Sequence, residues 1–416
     1  MQLLRTVFAL FSLFTLGLCA ETRASLADRA EQSIRAGDPG TALSLLSQAA
    51  ALEPASAESE DRIGFLLAVI NHQPESIQRF EKALTLDPNY AAAHYHLGVA
   101  LWLKEDPNQS IPHLIDAVRL APETFDYRLR LGTAFLQTDH YLEAVAELEK
   151  ATSLDPSSAL GWNSLGHGLQ HLGKLEKAGD AYEKAVRLSP NDDLIRNDFG
   201  FMLVETRRAD QGIAQFRKIL EHDPANSRVR VNLGYAHLQK GEYSLAEHQF
   251  RQAIQADASS ASAHHNLGIA LKQQDKLEAA EKEFETAIQS DPAIAEAYYS
   301  LAITRWQLGN FPGAITALQQ AITVRPGYAE AHAMLGTTLK QSGDLDAAIP
   351  ELREAMRLDP ENPGPINTLA QILRSRGDKP SSEKLVALAA KLKTEKEAQL
   401  GGALTQGMTT TSPFHQ

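Results

Sequence analysis

The stretch WNSLGHGLQHLGKLEKAGDAYEKAVRLSP, from Trp162 to Pro190, decides the fold because it is one copy of a pattern that fills the chain. The pattern ends in a proline that recurs every 34 residues, and one double step of 68 residues passes over Ala258. A fixed period in the range of about 20–50 residues marks a repeat architecture. The prolines are Pro54, Pro88, Pro122, Pro156, Pro190, Pro224, Pro292, Pro326 and Pro360.

Other positions keep the same register when the proline is counted as position 32. Position 8 is glycine or alanine in every unit, and position 20 is always small. Position 24 is always large, and position 27 is alanine in all units but one. Eleven units therefore fill residues 23–396, and they start at residues 23, 57, 91, 125, 159, 193, 227, 261, 295, 329 and 363.

Each unit is expected to form two antiparallel helices. Helix A covers roughly positions 2–14 and helix B roughly 18–30, because apolar residues recur three and four apart. Small residues at positions 8, 20 and 27 let the backbones approach, and the large residue at position 24 fills the space against the next unit. Glycines such as Gly173 and Gly241 at position 15 end helix A, and the proline ends helix B. The sequence predicts an all-α solenoid in which each unit touches its neighbours.

This pattern closely resembles the tetratricopeptide repeat family, over about nine tenths of the chain. The family pattern has Leu-Gly in helix A, a small residue at 20, an aromatic at 24, an alanine at 27 and a proline at 32. The resemblance implies a right-handed α-solenoid superhelix of about eleven 34-residue helix-turn-helix repeats. It also implies that the A helices line a concave groove through positions 2, 5, 6, 9, 12 and 13, which we call the groove positions.

The groove positions from residue 57 onward carry aromatic and amide side chains. Tyrosine and tryptophan supply the large anchors of interfaces, and amides can pair with an extended peptide backbone. Their charges nearly balance, seven acidic against six basic, although the chain carries a net charge of −12. The resemblance thus implies a groove for protein or peptide partners, unless the aromatics at positions 9 and 12 only pack between A helices. The candidate partner-binding residues are Phe65, Tyr95, Trp102, Gln137, Asn163, Asn197, Phe201, Asn232, Tyr235, Gln239, Asn266, Gln273, Tyr299, Trp306, Gln307 and Gln341.

Two kinds of ligand recognition in the family find little support here. Some members bind a carboxylate terminus with a lysine at position 5, and this chain has no lysine at that position. Members linked to glycosyltransferases carry asparagine at position 6 in unit after unit. Only Asn232 and Asn266 match that arrangement.

One histidine pair is a candidate for metal binding. His167 and His171 lie four residues apart on one predicted helix A, at positions 9 and 13. Such a pair can hold two corners of a zinc site, and Asp198 or Glu205 could add an oxygen ligand. The string lacks the glutamate that a zinc protease uses as its base. We therefore expect solvated groove histidines, no metal and no cofactor.

Residues 1–20 have the layout of a secretory signal peptide, with Arg5 before an apolar run and small residues after it. Cleavage is expected after Ala20, with Ala24 as the second choice. The uncharged stretch is shorter than the ~20 residues of a spanning helix, so no integral membrane span is expected. The alternatives are an uncleaved anchor or lipidation at Cys19. Lipoprotein acylation sites have glycine, alanine or serine immediately before the cysteine, and this chain has Leu18 there. This end predicts an extracytoplasmic location, periplasmic or secreted.

The remaining features point to a binding protein. No basic stripe occurs, so nucleic acid is not an expected partner. A phosphate loop, a nucleophile elbow and a dinucleotide fingerprint are all missing from the sequence, so no enzyme is expected. Residues 397–416 are expected to form a flexible C-terminal tail. We predict a non-enzymatic adaptor or scaffold; the alternative is an accessory subunit that presents substrates to an envelope enzyme such as a glycosyltransferase or protease.

Overall fold

The computed structural model describes residues 22–409, with side chains described for residues 22–395. The predicted signal peptide and the alternative tether at Cys19 lie outside the described residues, so both stay predictions. Residues 410–416 of the predicted tail also lie outside them. Within the described residues no helix is long and apolar enough to cross a membrane.

The described residues form 22 α-helices and no strand, which confirms the all-α solenoid of helical hairpins. Odd-numbered helices are A helices, even-numbered helices are B helices, and each A helix begins at the first residue of a 34-residue unit. The A helices are α1 (Arg23–Arg35), α3 (Ala57–Val69), α5 (Ala91–Leu103), α7 (Phe125–Gln137), α9 (Ala159–His171), α11 (Asp193–Glu205), α13 (Ser227–Gln239), α15 (Ala261–Lys272), α17 (Ala295–Gln307), α19 (Ala329–Gln341) and α21 (Pro363–Ser375). The B helices are α2 (Pro39–Ala51), α4 (Gln73–Leu86), α6 (Pro107–Leu120), α8 (Tyr141–Leu154), α10 (Leu175–Leu188), α12 (Ala209–Leu220), α14 (Tyr243–Ala256), α16 (Leu277–Ser290), α18 (Phe311–Val324), α20 (Leu345–Leu358) and α22 (Lys379–Thr409).

The described residues divide into two compact units, the first ending at Met202 and the second beginning at Leu203, with the boundary inside α11. In the first unit, successive A helices lie against one another, as α1 does against α3 and α3 against α5. In the second unit, α13 and α15 are in contact in the same way. Successive B helices make no comparably close approach among the described residues. Each stack therefore curves locally with its A helices on the inner side.

The glycine at position 8 allows the two helices of a hairpin to approach closely. A Cβ atom on Gly132 would lie 2.6 Å from Cγ of Leu148, the large residue at position 24 of the same hairpin. A Cβ atom on Gly268 would lie 2.6 Å from the ring of Phe284. The residue at position 24 therefore packs on the glycine of its own hairpin as well as facing the next hairpin. The contact with the glycine was not predicted from the sequence.

Position 15 ends every A helix in the left-handed conformation. Six of these residues are glycine, with φ between 70° and 86°. The other five carry a side chain at φ 61–62°, where an L-residue is less stable than glycine. The hairpin turn is therefore imposed by the packing of helices A and B even where glycine is missing. The five residues are Asn71, Glu105, Asp139, Arg207 and Asp275.

The last B helix, α22, is the longest and continues to Thr409. It enters residues 397–409, the segment for which we expected a mobile tail. The sequence offers a reason, because position 32 of the last unit is Thr394 where most units have proline. Without the ring that blocks the next helical hydrogen bond, the backbone continues as a helix.

Candidate functional site

The groove positions separate into a packed set and an exposed set. Position 5 is buried or half-buried in every A helix from α3 to α19, and position 12 is at most half-exposed there. Position 13, the last turn of the A helix, is exposed in every hairpin from α3 to α21. The structure therefore uses positions 5 and 12 mainly for packing and leaves position 13 to solvent.

Side chains at position 5 bond to position 6 of the next A helix, which fastens one hairpin to its neighbour. Asp61 Oδ1 lies 2.8 Å from His96 Nδ1 in the first compact unit. In the second unit, His265 Nε2 lies 3.1 Å from the hydroxyl of Ser300. These polar groups thus satisfy one another within the stack, as buried polar groups generally do.

The predicted residues Asn163 and Asn197 belong to one such cluster, and both are buried. The Asn163 amide donates to Asp198 Oδ2 over 3.0 Å, and His167 Nε2 lies 2.9 Å from the same oxygen. Burial raises the pKa of the Asp198 carboxyl, but hydrogen bonds from His167 and Asn163 outweigh burial and hold that pKa below its usual value. The carboxamide oxygen of Asn163 has no hydrogen-bond partner among the described residues.

The two histidines proposed for a metal have different partners. His167 bonds to Asp198, whereas His171 is exposed and stacks on Tyr141 with ring centroids 4.3 Å apart. Among the described residues no cluster of three or more histidine, cysteine or carboxylate side chains could hold a metal ion. The geometry thus gives each ring a role in packing.

The two groove tryptophans are half-buried, where the sequence led us to expect exposed anchors. Trp102 packs beside the buried Leu114 and Leu131, and the Arg130 guanidinium carbon lies 5.6 Å from the centroid of its ring. Burial lowers the pKa of Arg130. Trp306 donates from its indole N–H to the side chain of Gln341 on the next A helix. Each indole therefore combines packing with one accessible edge.

Two other predicted aromatics contact a ring in the next A helix or immediately before it. Tyr95 stacks on Tyr127 with centroids 4.6 Å apart, and burial raises its pKa. Tyr299 lies 5.1 Å from Tyr328 between ring centroids, and burial raises its pKa as well. Phe65 is 46% exposed, which makes it the most open of the predicted aromatic anchors.

The remaining predicted residues are either half-buried or fully open. Phe201, Asn232 and Tyr235 are half-buried and have partners within the chain. The amide of Asn266, also half-buried, donates to the backbone oxygen of Ser262 in its own helix. The predicted glutamines at position 13 are all exposed, and they are Gln137, Gln239, Gln273, Gln307 and Gln341.

Some of the charged side chains at the groove positions form ion pairs within the stack. Arg62 bonds to Asp28 at 2.6 Å and to Glu31 at 3.0 Å, both on the preceding A helix. Glu296 pairs with Arg325. Since acidic and basic residues at these positions are nearly equal in number, the groove positions carry little net charge.

One recurring contact was not foreseen from the sequence, and we call it the position-4 clamp. The side chain at position 4 reaches the position-32 carbonyl of the preceding hairpin and the position-23 side chain of its own B helix. In His332, Nε2 lies 3.1 Å from the Pro326 oxygen and Nδ1 lies 2.6 Å from Glu351 Oε2. The sequence signal was histidine or arginine at position 4 paired with a polar residue 19 positions later. Both contacts are seen in five hairpins, through His94, Arg128, Arg230, His264 and His332. The sixth hairpin has the same sequence signal, with Arg196 bonded to the Pro190 oxygen and Gln215 at position 23.

Three solved structures share this fold at low sequence identity. A tetratricopeptide repeat protein from Parabacteroides merdae is 17% identical over 60% of this chain and 98% of its own, with a TM-score of 0.53. The APC/C hetero-tetramer Cut9–Hcn1 is 13% identical over 85% of this chain and 84% of its own, with a TM-score of 0.51. Yeast Tom70 is 15% identical over 94% and 97%, with a TM-score of 0.50. At such identities the likeness concerns the fold alone. No curated protein matches the chain.

Family models match most of the repeat region. A tetratricopeptide repeat model matches residues 104–159, 129–193, 203–261, 265–318 and 299–363, which together exceed half of the chain. A TPR repeat model matches residues 71–104, and another tetratricopeptide repeat model matches 339–406. Proteins with this repeat generally act as scaffolds for protein–protein interactions. The chain therefore belongs to the tetratricopeptide repeat family.

Proposed function

We propose that this protein is a non-enzymatic adaptor of an extracytoplasmic compartment that holds protein or peptide partners along the groove positions of its A helices. The observation that carries the proposal is the exposed side chain at position 13 of each A helix from α3 to α21. Within each compact unit, such side chains at the 34-residue spacing offer repeated contacts to an elongated partner.

The chemistry of this row fits a polypeptide partner. Its four middle residues in the second compact unit are the exposed glutamines Gln239, Gln273, Gln307 and Gln341. A carboxamide both donates and accepts, so it can pair with the N–H and C=O groups of a peptide backbone. The half-buried Tyr235, Tyr299 and Trp306 lie on the same A helices and would provide apolar contact area.

The near-neutral groove supports a protein partner over a nucleic acid. Phosphate recognition needs clustered lysine and arginine side chains that are free to contact phosphates. Here Arg62 is paired with carboxylates, and Arg130 lies over an indole ring. The remaining excess of acidic residues in the chain would repel a polyanion.

The compartment is proposed from residues 1–20 alone. Their apolar run between Arg5 and the small residues before Glu21 is typical of a secretory signal peptide. Intact-mass measurement of the protein purified from its native source tests this, with a chain that begins at Glu21 as the expected result. A full-length chain recovered from the cytoplasm would contradict the proposed compartment.

Matched pairs of glutamines test the proposed binding surface. The double variant Gln239→Ala/Gln307→Ala shortens two exposed side chains at position 13, and the control Gln255→Ala/Gln319→Ala shortens two exposed glutamines on the B helices of the same hairpins. Proteins co-purified from the native compartment are quantified by mass spectrometry. We expect the first variant to lose its partner by roughly 5–30-fold, from two lost hydrogen bonds, while the control keeps it. Equal retention by both variants would refute the proposed surface.

A further inference from the structure

A notch opens on the B-helix side of the fifth hairpin, where the position-4 clamp is incomplete. Position 4 is Trp162 there, and its indole N–H donates to the Pro156 oxygen over 3.0 Å. Position 23, which bears a glutamate, glutamine or histidine in the five clamped hairpins, is Ala181. The missing side chain leaves a cavity of about 530 Å³ beside the indole.

The notch has an apolar floor and a charged rim. Leu165 and Leu169 from α9 form the buried floor next to the half-buried Trp162. The rim has three cations and two carboxylates, so it carries excess positive charge in a chain of net charge −12. The rim residues are Glu149, Lys177, Asp180, Lys184 and Arg187.

Two of the rim cations are available to a ligand. Lys184 Nζ lies 3.7 Å from the centroid of the Trp162 ring, a cation–π contact, and forms no ion pair within the described part of the chain. Lys177 is exposed and also has no carboxylate partner among the described residues. A partner carboxylate would therefore gain two charge-assisted contacts without breaking an existing ion pair.

We propose that this notch binds a short acidic segment of a partner protein, with an apolar side chain over the leucine floor and adjacent carboxylates on Lys177 and Lys184. The volume lies within the range of about 300–1,000 Å³ of pockets that enclose small ligands, which suits one or two side chains. The Trp162 indole, which is hydrogen-bonded to the Pro156 oxygen, provides the wall against which the apolar side chain packs.

This site is distinct from the groove. Trp162 and His171 lie on α9 nine residues apart, and at about 100° per residue they point to opposite sides of the helix. His171 occupies the exposed position 13, so the notch faces away from that row. A partner bound in the notch would therefore leave the groove free.

The ninth hairpin provides an internal comparison. It has Tyr298 at position 4 and Ala317 at position 23, and it forms a smaller notch of about 390 Å³. There Arg305 Nη2 is held by Glu285 at 2.6 Å, and position 26 is Gln320 where the fifth hairpin has Lys184. Because this notch has no free cation among its lining residues, it should not select acidic peptides.

The test uses a fluorescein-labelled peptide of alternating glutamate and leucine, measured by fluorescence anisotropy on the full chain. One control peptide replaces glutamate by glutamine, and a second keeps glutamate but replaces leucine by serine. The variant Ala181→Glu places at position 23 the glutamate that completes the position-4 clamp in other hairpins, and its side chain fills the notch. Ala317→Glu makes the same substitution at the equivalent buried position of the ninth hairpin, and melting curves confirm that both variants fold.

We expect the glutamate–leucine peptide to bind best, and Ala181→Glu to weaken it at least ~10-fold while Ala317→Glu changes it less than ~2-fold. The double variant Lys177→Met/Lys184→Met, which leaves the floor intact, should reduce binding to the level of the glutamine peptide. Equal binding of all three peptides, equal losses in the two alanine variants, or no saturable binding up to about 1 mM would each overturn the proposal. The row at position 13 plays no part in these outcomes.

Discussion

Substitution of Gly132 by alanine should destabilise the protein, although alanine is the better helix former. Alanine in the middle of a helix is more stable than glycine by about 0.5–1 kcal/mol. Against this, the new Cβ would lie 2.6 Å from Cγ and 2.9 Å from Cδ2 of Leu148, and 3.4 Å from the Ala144 backbone oxygen. Leu148 is fully buried, so it cannot move aside freely.

Overpacking a filled core costs about 1–3 kcal/mol. The control is Gly179→Ala, because Gly179 also lies inside a helix of the first compact unit, and its Cβ would meet only Met202 Cε at an ordinary 3.5 Å. The gain in helix propensity is common to both variants, so the difference between them measures the steric penalty. We expect Gly132→Ala to be less stable than Gly179→Ala by about 1–3 kcal/mol.

The assay is urea unfolding followed by far-ultraviolet circular dichroism, together with thermal melting. Gly179→Ala should unfold at the same or a higher urea concentration than the wild type, and Gly132→Ala at a lower one. If the two variants unfold together, the close approach of helices A and B at position 8 does not limit the packing of the hairpin, and the reasoning is refuted.

Three further predictions concern the buried charges and the groove tryptophans. A chain that begins at residue 25 lacks Arg23, which bonds to the buried Glu60, and Thr22, which caps the first helix. It should be about 2–4 kcal/mol less stable than a chain that begins at residue 21. Equal melting temperatures would show that the Arg23–Glu60 pair does not stabilise the fold. Burial raises the pKa of Glu60, but the hydrogen bonds from Lys82 and Arg23 lower that pKa by more than burial raises it. The folded pKa of Glu60 therefore lies below the unfolded value of about 4.3. The stability it contributes is present above that value and is lost as the pH falls through the folded pKa, so the advantage of the wild type over Glu60→Gln in urea unfolding should shrink below about pH 4; a constant difference would contradict this. Trp102→Ala, which removes an indole packed on a buried cluster, should lower the melting temperature more than Trp306→Ala. The reverse order would show that Trp306 contributes more to packing than Trp102.

The hairpins could be predicted from the sequence because local rules set them. Proline ends helix B, small residues at positions 8, 20 and 27 permit close packing, and the 34-residue period repeats both. The left-handed turn could be predicted where position 15 is glycine, as at Gly173, but not at Glu105 or Arg207. At those two residues tertiary packing decides the backbone conformation against the intrinsic preference of the residue.

The uses of the polar groove residues could not be predicted in the same way. A sequence places Asn163 on the inner side of a helix, but it does not tell whether the amide meets a partner or the carboxylate of Asp198 on the next helix. That choice depends on the distance and rotation between neighbouring hairpins, which many weak contacts set together. The position-4 clamp was missed for the same reason, since its three groups come from two hairpins.

The most direct measurement of the central claim, that partners bind along position 13 of the A helices, is site-specific photocrosslinking in the native compartment. A benzophenone side chain replaces Gln239 on α13 in one variant and Gln255 on α14 of the same hairpin in the other, and both positions are exposed. The account predicts a discrete protein adduct from residue 239 and none of that mass from residue 255. The same adduct from residue 255 alone would place the partner on the B helices and contradict the account.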